Sequence, residues 1–262
     1  MAFALGPRAA SAGYRLESFD QVGSTNSEAV ERARAGERGP MWFVTTEQTA
    51  GRGRRQRPWI APRGNLASSI LETVDVAPAT AATLGFAAGL ALEAALRAVA
   101  GSASIGFSLK WPNDVLAGQA KLSGILLEAE TVPGGNLAVV VGMGTNVVAA
   151  PEGTPTPATS LAVLGVKTSA EQLFAGLSDS WAECRGIWDG GKGFGEIRRR
   201  WLALAAGLGQ PVAVHTGNTK VSGTFDTIDE TGCMIIRTAA GEKIPISAGD
   251  VHFGLAASAR AG

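Results

Sequence analysis

The chain has 262 residues, 45% of them apolar and 18% charged, with Lys+Arg and Asp+Glu at 23 each. That composition excludes a disordered or supercharged chain, and the zero formal charge excludes a global field drawing it to nucleic acid or anionic lipid; a basic surface has to be local. The length suits one large domain or one plus a small appendage, and the two cysteines, Cys184 and Cys233, are too few for a disulfide framework and read as reduced thiols.

Residues 1–12 read as a flexible N-terminal arm, without the cationic start of a signal peptide. A strand is predicted over 14–19. Thr25 and Glu28 have capping-box spacing, which predicts a helix over 26–35 that stops at Gly36. Residues 41–46 are bulky and β-branched and predict a buried strand; the basic run 48–57 after them has no periodicity. Further strands are predicted over 66–73, 107–110, 124–130 and 137–147. Between the first two, Leu84, Ala88, Ala91, Leu92, Ala95 and Val99 recur at helical spacing within the apolar stretch 79–100. Glu93 and Arg97 interrupt that stretch, so it reads as a core helix and not as a membrane span. Strands mixed with helices predict an α+β fold, a mixed β-sheet with packed helices.

Three prolines within 151–157 predict a mobile loop. Ser169 and Gln172 suit a capping box at the head of a helix over 169–188, and a second helix is predicted over 196–206. From 207 onward, short alternating runs are separated by Gly217-Asn218, by 229–232 and by Ala240-Gly241, the texture of a small barrel. The expected organisation is an arm over 1–12, a main domain over 13–206 and a barrel over 207–262.

The chemistry concentrates in four places. The run Gly51-Arg52-Gly53-Arg54-Arg55-Gln56-Arg57-Pro58-Trp59 offers forked cations on a backbone that can approach an anion closely. It lacks the Gly-Lys-Ser/Thr of a phosphate-binding P-loop and the third glycine of a dinucleotide fingerprint. Alone it reads as well as a solvated basic loop or an arginine-rich nucleic-acid segment. Lys110-Trp111-Pro112-Asn113-Asp114 stops a strand at a proline and sets Asn113 and Asp114 at its carboxyl end, where ligands favour α/β sheets. Lys121 leads into a buried strand with Gly124 close behind. Gly142 and Gly144 interrupt an apolar strand, which a bulge or a ligand's approach would explain. The two histidines, His215 and His252, both fall in the barrel, so the main domain has no histidine for a metal cluster or a triad. What remains suits a nucleophile that is already ionised and a phosphate leaving group.

Ser24-Thr25-Asn26, Gln48 before GRGRRQRPW, then KWPND, KLSGILLE and GMGTNV, in this order, resemble the biotin protein ligases, the biotin–[carboxyl carrier protein] ligases. The resemblance runs from about Phe19 to Asn146 and continues more weakly into the terminal segment, which looks like that family's small SH3-like barrel. Only about eighteen residues precede the first match, which resembles the short form without an N-terminal DNA-binding domain. The implied fold is a biotin/lipoate ligase-like catalytic domain plus the barrel. The implied reaction is ATP-dependent biotinylation of one lysine on a biotin carboxyl carrier protein, the acceptor domain of a carboxylase such as acetyl-CoA carboxylase, through biotinyl-5′-AMP with Mg²⁺. The resemblance further implies a cytoplasmic ligase, without DNA or membrane partners, and leaves a homodimer open.

By the same resemblance Ser24, Thr25 and Gln48 would hydrogen-bond the ureido end of biotin, with Asn26 alongside. Arg52 and Arg54, with the Gly51 and Gly53 backbone, would order over the carboxylate and α-phosphate. Lys121 would bridge the reacting oxygens, Gly124 would meet the biotin ring and Asn146 the adenine. Arg57, Trp59, Asn113 and Asp114 would face the nucleotide, Asp114 near Mg²⁺, and residues 151–160 would form a flap. Four clustered arginines should repel one another, so this loop is expected to be disordered until ligand arrives. Gln56 stands where many members carry glycine, and the flap holds no aromatic over 149–160. A lipoate- or octanoate-protein ligase or transferase shares the fold, but the GRGRR and KWPND pairing favours biotin. A nucleic-acid-binding module is the non-enzyme reading, disfavoured by zero net charge and the lack of interleaved aromatics.

Overall fold

The computed structural model describes residues 2–154, 156–216 and 219–253. Its frame is a seven-stranded sheet in the order β1 (Arg15–Phe19), β2 (Met41–Thr45), β3 (Leu66–Val74), β7 (Leu137–Thr145), β6 (Ala120–Thr131), β5 (Asp114–Ala117) and β4 (Phe107–Lys110). Only β1 and β2 run parallel; the helix α2 (Thr25–Arg34) connects them. Because side chains alternate along a strand, each strand feeds two faces. One face carries Trp42, Val44, Ile70, Val139 and Val141 into the core beneath α4 (Leu84–Ala100) and α5 (Ala170–Trp188). Trp42 meets Phe174 and Trp181 edge to face, at 5.3 and 6.2 Å between ring centroids. The other face packs Phe43, Leu71 and Val140 against Ala29 and Ala33 of α2. That helix covers only part of its face, and the uncovered remainder becomes the site.

Several local expectations are corrected. The presumed arm forms a short helix, α1 (Pro7–Ser11), started by its proline and seated on α5. Ala9 is fully buried, the Gly6 N–H donates to Ser178 Oγ and the Ala9 N–H to Asp179 Oδ1. The cap of α2 is Ser24, which accepts the Ser27 N–H, and not Thr25. The stretch 79–100 breaks at Thr83 into α3 (Pro78–Ala82) and α4. Pro78–Ala100 is long and apolar enough to cross a membrane, but most of it is buried inside the protein. The expected capping box of α5 is present, with Ser169 and Gln172 in reciprocal hydrogen bonds. A sixth helix, α6 (Phe194–Ala203), follows.

Strand β5 (Asp114–Ala117) adds to the expected strands. The KWPND motif is the connection of the β4–β5 hairpin, so Asp114 opens a strand and pairs with Lys110. Residues 120–123, expected outside a strand, belong to β6.

After residue 207 the chain builds a five-stranded antiparallel sheet in the order β11 (Lys243–Ile246), β10 (Met234–Arg237), β9 (Thr219–Ile228), β8 (Pro211–Thr216) and β12 (Asp250–Phe253). The turn expected at Gly217-Asn218 lies outside the described residues. Val212, Val214, Phe225, Met234, Ile236 and Val251 form its interior. The Trp111 indole N–H donates to the Gly232 carbonyl at 3.1 Å, tying this unit to the main sheet. Both cysteines are free thiols, and burial pushes that of Cys184 up to about 11.

Glu72 of β3 is a buried carboxylate with three donors: the Tyr14 hydroxyl at 3.2 Å, the Trp181 indole at 2.9 Å and Arg185. It joins the N-terminal segment, the sheet and α5. Burial, then the Glu72 charge, pushes the Tyr14 phenol up from its ordinary value, so it stays a donor. Truncation would strand the Arg185 cation, the buried Trp181 indole and the half-buried Tyr14 hydroxyl, so Glu72→Ala should lose about 3–5 kcal/mol of stability, read by urea unfolding. An unshifted unfolding midpoint would show that this cluster does not hold the layers together.

Candidate active site

The uncovered part of the sheet face floors a cavity of about 660 Å³. Cross-strand register explains its flatness. Ala67, Gly144, Gly124 and Asp114 lie side by side across β3, β7, β6 and β5, and Ser69, Gly142 and Leu126 form the next row. Register is unbroken through Gly142 and Gly144, so no bulge accounts for these glycines. Close approach does. A Cβ on Gly142 would fall 2.0 Å from Asn26 Oδ1, and one on Gly144 would fall 2.6 Å from the Trp59 indole.

One end of the cavity is made by the N-terminus of α2. Ser24, Thr25 and Asn26 are buried there, and Gln48 Oε1 accepts the Thr25 N–H at 2.8 Å. The Asn26 amide donates to Glu128 Oε2 at 2.7 Å, and the Ser69 hydroxyl lies 2.6 Å from Asn26 Oδ1. These polar groups are fixed by one another, which presents a rigid set of donors and acceptors to a ligand.

The arginine run arches over the floor as an ordered turn. Arg52 bridges to Pro58, the Gly53 N–H donates to the Arg57 carbonyl at 2.7 Å, and the Trp59 N–H to the Gly51 carbonyl at 2.9 Å. Arg52 reaches Ser27 Oγ at 3.1 Å and Glu128 at 3.6 Å, and Arg54 donates to Asn113 Oδ1 at 3.2 Å. Arg55 and Arg57 both donate at 2.8 Å to one oxygen, Oδ2 of Asp250. An acidic residue of β12 thus offsets the repulsion expected within the run. Burial, then the neighbouring Arg55 charge, pulls Arg54 down from the ordinary arginine value, so an arriving anion would relieve it. Burial works against ionising Asp250, yet Arg57 and Arg55 hold its carboxyl below the usual range.

At the far end of the floor Lys121 Nζ sits 2.6 Å from Asp114 and 5.5 Å from the Trp59 ring centroid. Residues 156–159 are laced to β6, with the Lys121 N–H donating to the Pro157 carbonyl at 2.7 Å and the Thr159 N–H to the Lys121 carbonyl at 2.9 Å. Asn146 is buried; its amide N–H donates to Thr159 while its Oδ1 has no hydrogen-bond partner among the described residues. An amide oxygen in that position suits an exocyclic amine.

Ser24, Thr25, Asn26, Gln48, Arg52, Gly53, Arg54, Arg57, Trp59, Asn113, Asp114, Lys121, Gly124 and Asn146 all line this one cavity. Gly51 does not; its backbone is engaged within the turn. Lys110, singled out in its motif but given no role, also lines it, as do Asp250 and His252, which sequence reasoning missed. Lys110 is a second lysine at the site, its ammonium 5.5 Å from the Phe253 ring centroid, and burial lowers its pKa.

Residues 19–146 match the Biotin/lipoate A/B protein ligase family, and residues 207–254 match the Biotin protein ligase C terminal domain. The chain is 39% identical to a biotin–[acetyl-CoA-carboxylase] ligase of Paracoccus denitrificans, over 88% of this chain and 97% of that one. It is 34% identical to one of Mycobacterium tuberculosis, over 92% of this chain and 90% of that one. The solved biotin protein ligase from Aquifex aeolicus, in complex with biotin and ATP, superposes with a TM-score of 0.75 at 27% identity, covering 92% and 99% of the two chains.

Proposed function

The chain belongs to the biotin protein ligase family, and from that membership we propose that it couples biotin to ATP as biotinyl-5′-AMP and passes the biotinyl group to one lysine of a biotin carboxyl carrier protein. The observation that carries the reading is the cavity itself: a flat glycine floor, fixed amides at one end, and Arg52, Arg54 and Lys121 converging over it.

Biotin's carboxylate is ionised at neutral pH and needs no general base. Its attack on the α-phosphorus is opposed by charge repulsion, which fixed cations at the meeting point reduce in the transition state. The bond from carboxylate oxygen to phosphorus forms as the bond between α- and β-phosphates breaks, and pyrophosphate leaves with that electron pair. In the second half-reaction the carrier's lysine amine attacks the acyl carbon, loses a proton, and AMP departs.

Ser24, Thr25, Asn26 and Gln48 hold the ureido end of biotin, over Gly124 and Gly142. Arg52 and Arg54, with the Gly53 backbone, take the carboxylate and α-phosphate, and Lys121 bridges the reacting oxygens. Asn146 Oδ1 accepts from the adenine amine, Trp59 packs beside the nucleotide, and Asn113 supports its phosphate side, whereas the Arg57 guanidinium is given to Asp250. The arginine turn and residues 151–154 and 156–160 shield a labile mixed anhydride from water. No group of three His, Cys, Asp or Glu among the described residues could hold a metal. Magnesium would arrive on ATP with phosphate and water oxygens around it, and Asp114 is the carboxylate of this cavity that would help hold it. When bound it would neutralise phosphate charge. The use of ATP and a carboxylase acceptor supports a cytoplasmic reading.

Mass spectrometry of a carrier domain from acetyl-CoA carboxylase, incubated with the chain, ATP and an equimolar mixture of biotin and lipoate, tests the reading. One biotinyl group added only with ATP is expected; lipoyl transfer with no biotinyl transfer would move the chain to the lipoate branch.

This chain should not read DNA. Arg55 and Arg57 are paired with Asp250, Arg52 with Glu128, and the net charge is zero. A mobility-shift titration on the promoter of its own operon, at physiological salt, should give weak, salt-sensitive binding that biotin plus ATP abolishes. Tight, sequence-selective binding strengthened by biotin would overturn this.

A further inference from the structure

The arginine turn has a conformation its own sequence disfavours. Arg55 and Gln56 occupy its two central positions at φ of 57° and 58°, and the Arg57 N–H closes it on the Arg54 carbonyl at 3.3 Å. Two successive positive φ values mark the turn geometry that Asn-Gly or Gly-Gly normally serve, and a β-carbon at each position is a steric cost. Such a conformation persists only where the surroundings over-determine it.

The over-determining contact comes from another part of the fold. Asp250 begins β12, nearly two hundred residues away, and a single carboxylate oxygen accepts from Arg55 inside the strained pair and from Arg57 just after it. Gly249, Asp250, Val251 and His252 also line the cavity, so β12 is a wall of the site as well as an anchor. With Arg55 and Arg57 engaged by Asp250 in the cavity wall, Arg52 and Arg54 are the members of the run left over the floor.

We propose that Asp250 is a positioning residue: from the barrel it clasps the strained turn through Arg55 and Arg57 and thereby holds Arg52 and Arg54 over the cavity. The consequence for catalysis rests on the ligase reading; the clasp itself does not. An isolated exposed ion pair would matter little, but two arginines on one carboxylate stabilise a local conformation that has a competing relaxed state. Asp250 touches no reacting atom, so its loss loosens the loop without removing a catalytic group.

The test uses the full chain as parent, Asp250→Ala, Asp250→Glu and Asp250→Ala/Gln56→Gly. In the ligand-free protein, trypsin cleavage after Arg54 and Arg55 should run roughly fivefold faster in Asp250→Ala, the scale of losing one to two exposed ion pairs. Asp250→Glu should restore part of the protection, and Gln56→Gly should restore part of it in the double variant, because glycine removes the steric cost at that position. Release of biotinyl-adenylate from loaded protein should accelerate by about the same factor, with the melting temperature unchanged. Equal trypsin rates in parent and Asp250→Ala, or a double variant cut as fast as the single one, would overturn the clasp. A parent that makes no adenylate while its trypsin series behaves as expected would instead remove the ligase reading and leave the clasp standing.

Discussion

Lys121→Ala is expected to slow biotinyl-adenylate formation by roughly 10²–10³-fold, the scale of losing one preorganised charge at a reacting centre. Lys121 is the ammonium at the end of the glycine floor, held between Asp114 at 2.6 Å and the Trp59 face. The fold should survive. The contacts that lace residues 156–159 to β6 use the Lys121 backbone, which alanine keeps, and the side chain is not part of the apolar core. Lys110 also lines the cavity, so charge there is reduced and not removed, and some activity should remain. Lys121→Arg should rescue only in part, because a planar fork cannot replace a compact ammonium between two reacting oxygens. Single-turnover kinetics with a parallel melting curve reads both quantities. A variant that forms adenylate at the parent rate would take Lys121 out of the chemistry, and one that loses activity only as it unfolds would make it structural.

Arg52→Ala should fail twice, forming adenylate roughly 10²–10³-fold more slowly and releasing what it forms. Arg52 stands over the floor between Ser27 and Glu128, and its Nε is buried without a hydrogen-bond partner among the described residues. A fork held by neighbours on one side and open to the cavity on the other is suited to a carboxylate and a phosphate at once. The turn should persist without it, because Arg55, Arg57 and Asp250 are untouched. Arg57→Ala is the useful contrast, since its guanidinium is given to Asp250 and its effect should be much smaller. Rapid desalting after loading separates the two failures, with formation read at early times and retention from the decay. Parent-like formation and retention in Arg52→Ala would mean that the loop has another task.

What could be read from sequence was whatever is written locally. The head of α2 is legible because Ser24-Thr25-Asn26 is a capping pattern, although the capping residue is Ser24 and not Thr25. The glycines at 142 and 144 stand out in an apolar strand, and their reason is packing: Asn26 and Trp59 occupy the space their side chains would fill. That partnership is tertiary and leaves no trace in spacing. Helix α1 escaped notice because five residues are too few for periodicity, and its stability comes from Ser178 and Asp179 of α5. Strand β5 is four residues long and follows Pro112, so it looks like the tail of a turn. Asp250 carries no motif at all. Its importance arises only when β12 sets it beside Arg55 and Arg57, an offsetting charge that repulsion within the run does not anticipate.

The measurement that tests the central claim most directly needs no acceptor protein. The chain is incubated with biotin and ATP labelled at the α-phosphate, desalted, denatured, and its released small molecules are resolved. One biotinyl-5′-AMP per chain, absent when lipoate replaces biotin and strongly reduced in Lys121→Ala, is the result this cavity predicts. A parent protein that retains no adenylate, or one that accumulates lipoyl-adenylate in preference, would contradict it.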